Sequence, residues 1–514
     1  MGPYNWFDLP TEVRFRILDL LANTPADKTE RRAWPSICWD WRHFFEDRNF
    51  SSMVLRSYTD IHTFSDYVTD HLREKVKRIR LHVPLQVYIC GDCDSPEDDR
   101  NIEANNVAFT GRLLVLLNKL AEWQPRGGGL TLEISAASAS DTEHILDAVL
   151  KGRHLHDCMV FFTSQLGDYD PGLHSAKKRI LGNLLDIENS IDPRSRGADL
   201  RFDQLQVPVV THFTVSRESR RSLSAEAIAT VFQCLPRLRE VIYEPWRGIT
   251  TKDIEQRNRA TRHLLRRLPK TVSSVSLQET RAEYLNDGVV AGDEPRLTSA
   301  WDAVHRLKES TETPPIRDLI LAQCRRDSSL ALDAVAACKQ LQSFSASSPI
   351  DALEFLRGFG VTSLGTHNPL TRPFLTTWPF LTTIALKTPR VLEFQLGNEL
   401  LLAAGGAAAQ MPQLRLMELW DARETIGTLL RYEVCDMHTA LKLETTIDGF
   451  TIGQDALEVW RAMVRDRHGR EMNDHTTVLS QDVVETLSCF RTRLRLHKSA
   501  LARDWNVLEM YENA

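Results

Sequence analysis

Two groups of cysteine and histidine residues have types and spacings that could hold a metal ion. Cys90 and Cys93 are separated by two residues, and His154, His156 and Cys158 follow farther along the chain. Four-coordinate zinc would need two ligands from each group. The second group has the wrong spacing for a zinc finger, so we favour an acidic loop with two free thiols. The cysteine pair does not open a predicted helix, which also disfavours a redox site.

The motifs of common enzyme sites are missing from the sequence. It contains no Gly-x-x-x-x-Gly-Lys-Ser/Thr, no Gly-x-Gly-x-x-Gly, no His-Glu-x-x-His and no Gly-x-Ser-x-Gly. The glycines at residues 127–129 precede a predicted strand, whereas a phosphate loop follows a strand and opens a helix. We therefore expect no catalytic residues, no metal and no cofactor. The alternative is an enzyme on an α/β fold whose site these motifs do not reveal.

Two basic stretches could bind phosphate groups. The first alternates positive charges along a predicted strand from Arg73 to His82, and the second crowds arginines onto a predicted helix between Arg257 and Lys270. Arginines bind a phosphorylated peptide through paired N–H groups. More often such clusters are solvated faces balanced by nearby carboxylates, and we favour that interpretation here.

Residues 1–50 carry two apolar stripes with helical spacing. Pro10 suits the first turn of a helix, and apolar residues recur at helical intervals from Val13 to Leu21. The second stripe predicts a helix that begins near Trp34, and it consists of Trp34, Ile37, Cys38, Trp41 and Phe45. Each large aromatic side chain brings roughly 150–250 Å² of surface to bury, and so short a segment is rarely stable alone. We therefore expect a docking module that binds a partner. The alternative is a helical hairpin packed on its own domain.

Three blocks of this module, in order, resemble the F-box, which docks substrate receptors onto the Skp-type adaptor of SCF ubiquitin ligases. The blocks are Leu9-Pro10-x-Glu12, Ile17-Leu18-x-x-Leu21 and Ile37-Cys38-x-x-Trp41-Arg42. Residues 22–32, which are polar and lack the usual leucine, depart from the family pattern, and so does Pro35. The adaptor-binding residues that the resemblance implies are Leu9, Pro10, Val13, Ile17, Leu18, Leu21, Ile37, Cys38 and Trp41.

The sequence after the module is similar to uncharacterised fungal F-box proteins with a long leucine-rich-repeat-like C-terminal region. The similarity includes Phe44-Phe45-Glu46-x-x-Asn49-Phe50, residues 76–81 and residues 129–135. It implies the substrate-recognition subunit of an SCF-type E3 ubiquitin ligase. Its partners would be a Skp-type adaptor, the cullin ligase core and an unknown protein substrate. The alternative is an F-box scaffold that ubiquitinates nothing.

The composition is that of an ordinary globular protein. The 514 residues are 42% hydrophobic and 26% charged, with a net charge of −6. This balance does not favour nucleic acid, and the longest apolar run, residues 400–409, is too short to span a membrane. Nine scattered cysteines indicate reduced thiols, and the N-terminus lacks the pattern of a secretory signal. We expect a cytoplasmic or nuclear protein that binds neither nucleic acid nor membrane.

Beyond residue 50, short β-like runs alternate with amphipathic helices, which predicts an α/β fold with right-handed parallel crossovers. Leu-x-x-Leu-x-Leu-like strands recur at residues 236–243, 316–321, 381–386 and 413–419, with spacing irregular for a leucine-rich repeat. We predict an N-terminal helical F-box-like module (residues 1–50) followed by an irregular leucine-rich-repeat-like strand–helix solenoid (residues 51–475). A doubly wound α/β domain is the alternative, although so many parallel strands usually split a flat sheet.

Three further segments have distinctive compositions. Residues 90–106 are acidic and loop-like, and residues 169–198 are rich in Gly, Pro, Asp and Arg. Leucines recur loosely over residues 476–514, which predicts a C-terminal helical segment that caps the solenoid.

Overall fold

The computed structural model of the protein defines its architecture over most of the chain. It describes residues 6–23, 33–89, 92, 95–141, 179–180, 182–187, 201–216, 219, 221–246, 251–279, 328–347, 350–359, 377–423, 426–435, 438–479 and 493–495. Within these ranges the chain forms a twelve-stranded sheet, a second sheet of two strands and a series of helices. The predicted α/β class is therefore confirmed.

The strands and helices follow one another along the whole described chain. The strands are β1 Ser52–Leu55, β2 Arg78–Pro84, β3 Leu130–Ala137, β4 Leu184–Leu185, β5 Val210–Val215, β6 Ser222–Leu223, β7 Glu240–Tyr243, β8 Ser274–Leu277, β9 Ser343–Ala346, β10 Thr383–Lys387, β11 Leu416–Arg423, β12 Ile426–Val434, β13 Thr439–Thr445 and β14 Met472–Val478. The helices are α1 Thr11–Asn23, α2 Trp39–Ser51, α3 Tyr58–Tyr67, α4 Asp70–Arg73, α5 Asp99–Ala121, α6 Ala225–Gln233, α7 Thr251–Arg266, α8 Ser328–Ala337, α9 Ala352–Arg357, α10 Phe394–Ala409 and α11 Gln454–His468.

The large sheet keeps the order of the sequence. Its spatial order is β1-β2-β3-β5-β7-β8-β9-β10-β11-β12-β13-β14, and β4 pairs with β6 in the small sheet. Pairing is parallel from β1 to β11, antiparallel on both sides of β12, and parallel again between β13 and β14. Each strand is thus flanked by the strands that precede and follow it in the large sheet.

The helices form a layer against one face of this sheet. Successive helices from α6 to α11 contact one another, and aromatic side chains join the layer to the strands. The ring of Phe213 in β5 lies 5.8 Å from that of Phe232 in α6, and the ring of Phe344 in β9 lies 5.0 Å from that of Phe355 in α9. These residues belong to one continuous core of buried apolar side chains.

Local sequence signals explain where several helices begin and end. Ser57 and Asp60 form a capping box at the start of α3, and Asp98 and Ser224 accept backbone N–H bonds at the starts of α5 and α6. Gly469 ends α11 in the left-handed conformation that glycine adopts without strain. The start of α5 at Asp99 corrects the loop predicted for residues 90–106.

Many predicted strands coincide with observed ones, and some elements were not predicted. Three of the four Leu-x-x-Leu-x-Leu-like segments overlap β7, β10 and β11, whereas residues 316–321 lie outside the described residues. The sequence prediction missed the strands β1, β4, β6, β12 and β14 and the helices α3, α4 and α11. Residues 169–198 lie mostly outside the described part of the chain.

The C-terminal prediction needs a correction. Residues 476–478 are the end of strand β14 and not the start of a helix, so the predicted boundary between residues 475 and 476 falls inside that strand. Arg493–Arg495, the last described residues, are not helical. They contact strands β11, β12 and β13 through ion pairs and hydrogen bonds. The rest of residues 476–514 lies outside the described residues.

Candidate functional site

Helices α1 and α2 form a small N-terminal module, defined here as residues 6–51. The helices contact each other, and an ion pair joins Arg14 of α1 to Asp40 of α2. The indole N–H of Trp6 donates to the same carboxylate over 3.2 Å. Asp40 is buried, so these polar contacts satisfy a carboxylate that water does not reach.

An aromatic cluster joins helix α2 to the two short 3-10 helices that contain Trp6 and Trp34. The ring of Trp34 lies 4.8 Å from that of Phe45, and the ring of Trp41 lies 5.6 Å from that of Trp6 and 5.8 Å from that of Phe45. Ring pairs at these distances attract each other beyond their area of burial. The module therefore buries part of its own aromatic surface, including much of the predicted second stripe.

The second helix begins later than its apolar stripe predicted. Trp34–Ser36 is a short 3-10 helix, Cys38 has an extended backbone with φ of −162°, and α2 begins at Trp39. Pro35 lies in the first turn of the short 3-10 helix, which is the position that its ring fits, and the extended backbone of Cys38 then separates this turn from α2. The interruption places Ile37 outside both helical segments, where its side chain is exposed.

The nine predicted adaptor-binding residues differ in exposure. Pro10, Val13 and Ile37 are exposed; Leu9, Ile17, Leu21, Cys38 and Trp41 are half-buried; Leu18 is fully buried. Leu18 thus contributes to the core of the module, and Trp41 belongs to the aromatic cluster. The exposed members are the ones that are free to contact another protein.

Three further apolar side chains of the module are exposed, and the sequence analysis did not single them out. Phe7, Leu20 and Trp39 are exposed to 61%, 58% and 71%. Leu20 follows Val13 by seven residues on α1, so both lie on the same helical face. That spacing was visible in the sequence and could have identified Leu20.

The module is fixed to the first edge of the sheet. Helix α2 ends at Ser51 and β1 begins at Ser52. The ammonium group of Lys75 lies 2.6 Å from a carboxylate oxygen of Asp47 and 3.7 Å from one of Glu46. The hydrogen bond from Lys75 lowers the pKa of Asp47 below its ordinary value.

The far face, which is the side of the large sheet opposite the described helices, is lined mainly by polar side chains, with the buried Trp420 of β11 and Leu429 of β12 as apolar exceptions. In β8 and β9 the apolar Val275 and Phe344 belong to the core, so the alternating Ser276 and Ser345 point to the far face. The hydroxyl of Ser345 donates to that of Ser276 over 2.8 Å. Both are buried, so the far face is polar although little of it meets water here.

The part of the first basic stretch that lies in β2 is also on this face, whereas Arg73 ends helix α4 and Lys75 precedes the strand, so the predicted single strand face is wrong for the start of the stretch. Arg78 and Arg80 in β2 both pair with Glu133 in β3, and that carboxylate is fully buried. In the second stretch, Arg262 and Arg266 of α7 pair with Asp333 of α8 over 3.0 and 2.9 Å. These pairs agree with the favoured interpretation of charges balanced by nearby carboxylates.

A denser charge network crosses the far face at β11, β12 and β13. Arg431 lies 2.8 Å from Glu418 and 3.5 Å from Glu444, and Lys442 pairs with Glu433. Burial acts to raise the pKa of Glu433. The hydrogen bond from Lys442 and the charge of Arg495 outweigh that effect, so the pKa lies below its ordinary value.

One group in the described part of the chain has the residue types of a metal site. Ligand atoms of Glu433, Cys435 and His438 lie within 4.8 Å of one another. The two oxygens of Glu433 meet Lys442 and Arg495, so cations already occupy both. The predicted candidates, Cys90, Cys93 and the group at residues 154–158, lie outside the described residues.

A buried charge network that the sequence analysis missed lies beside strand β3. Arg221 is buried, and its guanidinium group lies 2.7 Å from Glu97 and 3.7 Å from Asp141. Burial acts to lower the pKa of Arg221, but the charges of Asp141 and Glu97 raise it above its ordinary value. The guanidinium therefore stays charged, and the network holds distant parts of the chain together.

None of the helices that the structure describes is long and apolar enough to cross a membrane.

Part of the chain matches the model of a protein family. No curated protein matches the chain. Residues 267–502, which extend from before β8 to beyond Arg495, match the model of a family of unknown function, DUF6546, so this part of the chain is similar to that family.

Proposed function

We propose that this protein is the substrate-recognition subunit of an SCF-type ubiquitin ligase. The N-terminal module would dock onto a Skp-type adaptor and through it onto the cullin ligase core. The sheet region would hold a protein substrate near a recruited ubiquitin-conjugating enzyme. The rate gain would come from proximity, because holding two reactants together raises their effective concentration. The proposal assigns no bond chemistry to this chain.

The exposed apolar side chains of the module are the observation that carries the proposal. Val13 and Leu20 on α1, together with Phe7, Ile37 and Trp39, are exposed large apolar groups in a segment of few residues. Such groups are typical of a surface that binds another protein. Val13 and Ile37 are also positions that the F-box resemblance assigns to adaptor binding, so two independent arguments agree on the same residues.

We further propose that the part of the chain from β1 to β14 forms an irregular leucine-rich-repeat-like solenoid. The sequential strand order and the single series of contacting helices support this architecture. A doubly wound domain would need apolar residues on both sheet faces, whereas the far face carries serines and charges at positions such as Ser276, Ser345 and Glu418. The antiparallel pairing of β11, β12 and β13 is the departure from a regular repeat.

The adaptor-docking step can be tested with exposed residues. We expect Val13→Asp combined with Ile37→Asp to weaken binding of a purified Skp-type adaptor at least about tenfold, since truncating a central interface residue costs more than about 1 kcal/mol. The matched control is Leu332→Asp, which alters an equally exposed leucine on α8. Binding is measured by calorimetry with the full-length protein. Unchanged binding by the double variant would refute the docking assignment.

The same variant separates a ligase receptor from a scaffold. We expect cells that carry only the Val13→Asp/Ile37→Asp protein to show a longer half-life for the substrate, because its ubiquitination needs adaptor docking. Protein half-lives are compared across the proteome with those in cells that carry the Leu332→Asp control. If adaptor binding is lost and no half-life lengthens, the protein is a scaffold that ubiquitinates nothing.

A further inference from the structure

A short piece of the C-terminal sequence lies on the far face and pairs with its acidic groups. The guanidinium of Arg493 lies 2.9 Å from Glu444 of β13, and that of Arg495 lies 2.9 Å from Glu433 of β12. The leucine between them, Leu494, is only 3% exposed. Two basic side chains therefore bind carboxylates while the apolar one between them is buried.

The backbone of this segment is bound as well. The N–H of Arg495 donates to the Glu418 carboxylate over 3.0 Å, and the carbonyl of Arg493 accepts from Arg431. Both protein partners are buried residues of the sheet. The segment, whose residues 493 and 495 lie in turns, is therefore held through its main chain as well as through its side chains.

The charge of the sheet favours such a ligand. Among these residues, the strands supply three carboxylates, on Glu418, Glu433 and Glu444, and two cations, on Arg431 and Lys442. The strands alone thus carry a net charge of −1, which attracts a basic ligand, and the two arginines of the bound segment bring the set to +1. Buried groups without partners are unfavourable, so a peptide that lacked the arginines would leave this surface poorly satisfied.

We infer that the far face of β11, β12 and β13 is a binding site for a basic–apolar–basic peptide segment of the Arg-Leu-Arg type. Arg493–Arg495 occupy the site in the free protein and compete with the external ligand. The inference rests on the proposed function in one respect: the ligand is a segment of the protein substrate. The site itself is defined by contacts that do not involve the N-terminal module.

The internal segment is held in a way that allows exchange. The side chains of Arg493 and Arg495 are 33% and 54% exposed, and ion pairs exposed to water contribute little to stability. The segment stays bound because it belongs to the same chain, which gives it a high effective concentration. A substrate segment with the same pattern and further contacts can displace it.

The test uses the full-length protein and a fluorescent peptide with the sequence of residues 490–498. We expect the Arg493→Ala/Arg495→Ala protein to bind this peptide about tenfold or more tightly than the wild type, because the internal competitor is weakened. The matched control is Arg461→Ala/Arg465→Ala, which removes two arginines of α11 and should bind like the wild type. A peptide with glutamates in place of the first and last residues of Arg-Leu-Arg should not bind. Equal affinities of the variant and wild type, or binding of the glutamate peptide, would overturn the inference.

A charge exchange tests the site if the alanine variant does not fold. Arg493→Glu should detach the segment and raise chymotrypsin cleavage at Leu494 about tenfold, whereas Arg493→Glu with Glu444→Arg should restore protection. Equal cleavage of the two proteins would contradict the site. Adaptor binding is measured separately on the same proteins. If peptide binding is lost and adaptor binding is intact, only this inference is refuted. If adaptor binding is lost and peptide binding is intact, only the proposed function is refuted.

Discussion

The N-terminal module and the sheet region, defined as the strands β1 to β14 with the helices between them, differ in how many of their large apolar side chains are buried. Among the described residues of the module, Leu18 and Phe45 are buried, whereas Phe7, Leu20 and Trp39 are among those more than half exposed. In the sheet region, the strands and helices share one continuous core. The sheet region exposes large apolar side chains as well, such as Tyr67 and Leu332, but these are few beside its core, whereas the exposed ones are a large share of the module.

Buried polar groups sharpen the contrast between the two regions. The sheet region encloses whole charge networks, such as Arg221 with Glu97 and Asp141. The buried carboxylate of the module, Asp40, is satisfied by Arg14 and Trp6 at its margin. Substitutions in the sheet region should therefore act on global stability, and those in the module should act locally or on binding.

The largest expected effect is on the buried network of the sheet region. Arg221→Ala should lower the free energy of unfolding by about 3–5 kcal/mol, because it leaves Glu97 and Asp141 buried without their cation. The measurement is urea unfolding. The control is Arg357→Ala, whose half-exposed side chain pairs with Glu399 over 2.6 Å and should contribute less than about 1 kcal/mol. Equal losses in the two variants would show that the network does not stabilise the sheet.

A smaller and local effect is expected in the module. Phe45→Ala removes the buried ring that joins Trp34 and Trp41, and should lower the free energy of local opening by up to about 3 kcal/mol. Hydrogen exchange of residues 11–51 measures that opening, while the urea transition of the sheet should stay within about 0.5 kcal/mol. Trp39→Ala, at a side chain that is 71% exposed, is the control. A shift of the sheet transition by Phe45→Ala would mean that the two regions unfold together.

The smallest effect concerns the junction between the regions and depends on pH. Lys75 lowers the pKa of Asp47 in the folded protein below the ordinary 3.8, so the pair adds stability above that value. The contribution is lost as the pH falls through the folded pKa. We expect Asp47→Asn to speed hydrogen exchange at residues 45–52 near neutral pH and to have no effect in strong acid. Asp66→Asn, an exposed change on α3, is the control, and a difference that persists in acid would contradict this role.

The sequence predicts the strands with an apolar core face better than the others. Ile384 and Leu386 in β10 alternate with less apolar residues, which is the ordinary strand signal, and residues 241–243 in β7 form a short continuous apolar run. Strand β12 was missed because Arg431 and Glu433 interrupt its apolar pattern, although both point to the charged far face. Strand β14 is almost entirely polar, and its strand form comes from pairing with β13.

The candidate sites were only partly predictable. The module was visible because helical spacing and aromatic content are local properties of the sequence. The division of its residues into exposed Val13 and Ile37 and buried Leu18 depends on how two helices pack, which no spacing specifies. The far-face site joins Arg495 to Glu418, which are 77 positions apart. Residues so far apart in the sequence come into contact only because the order of the strands brings these two parts of the chain together.

The sequential order of the strands also sets an order of folding. From β1 to β11, each strand of the large sheet pairs with the next one along the chain. During synthesis the sheet can therefore grow at one edge as each new strand leaves the ribosome. Arg493–Arg495 emerge after every strand of the sheet has been made. The acidic part of the far face is therefore complete before its internal ligand exists, and a newly made chain passes through a period in which a passing peptide meets no competitor.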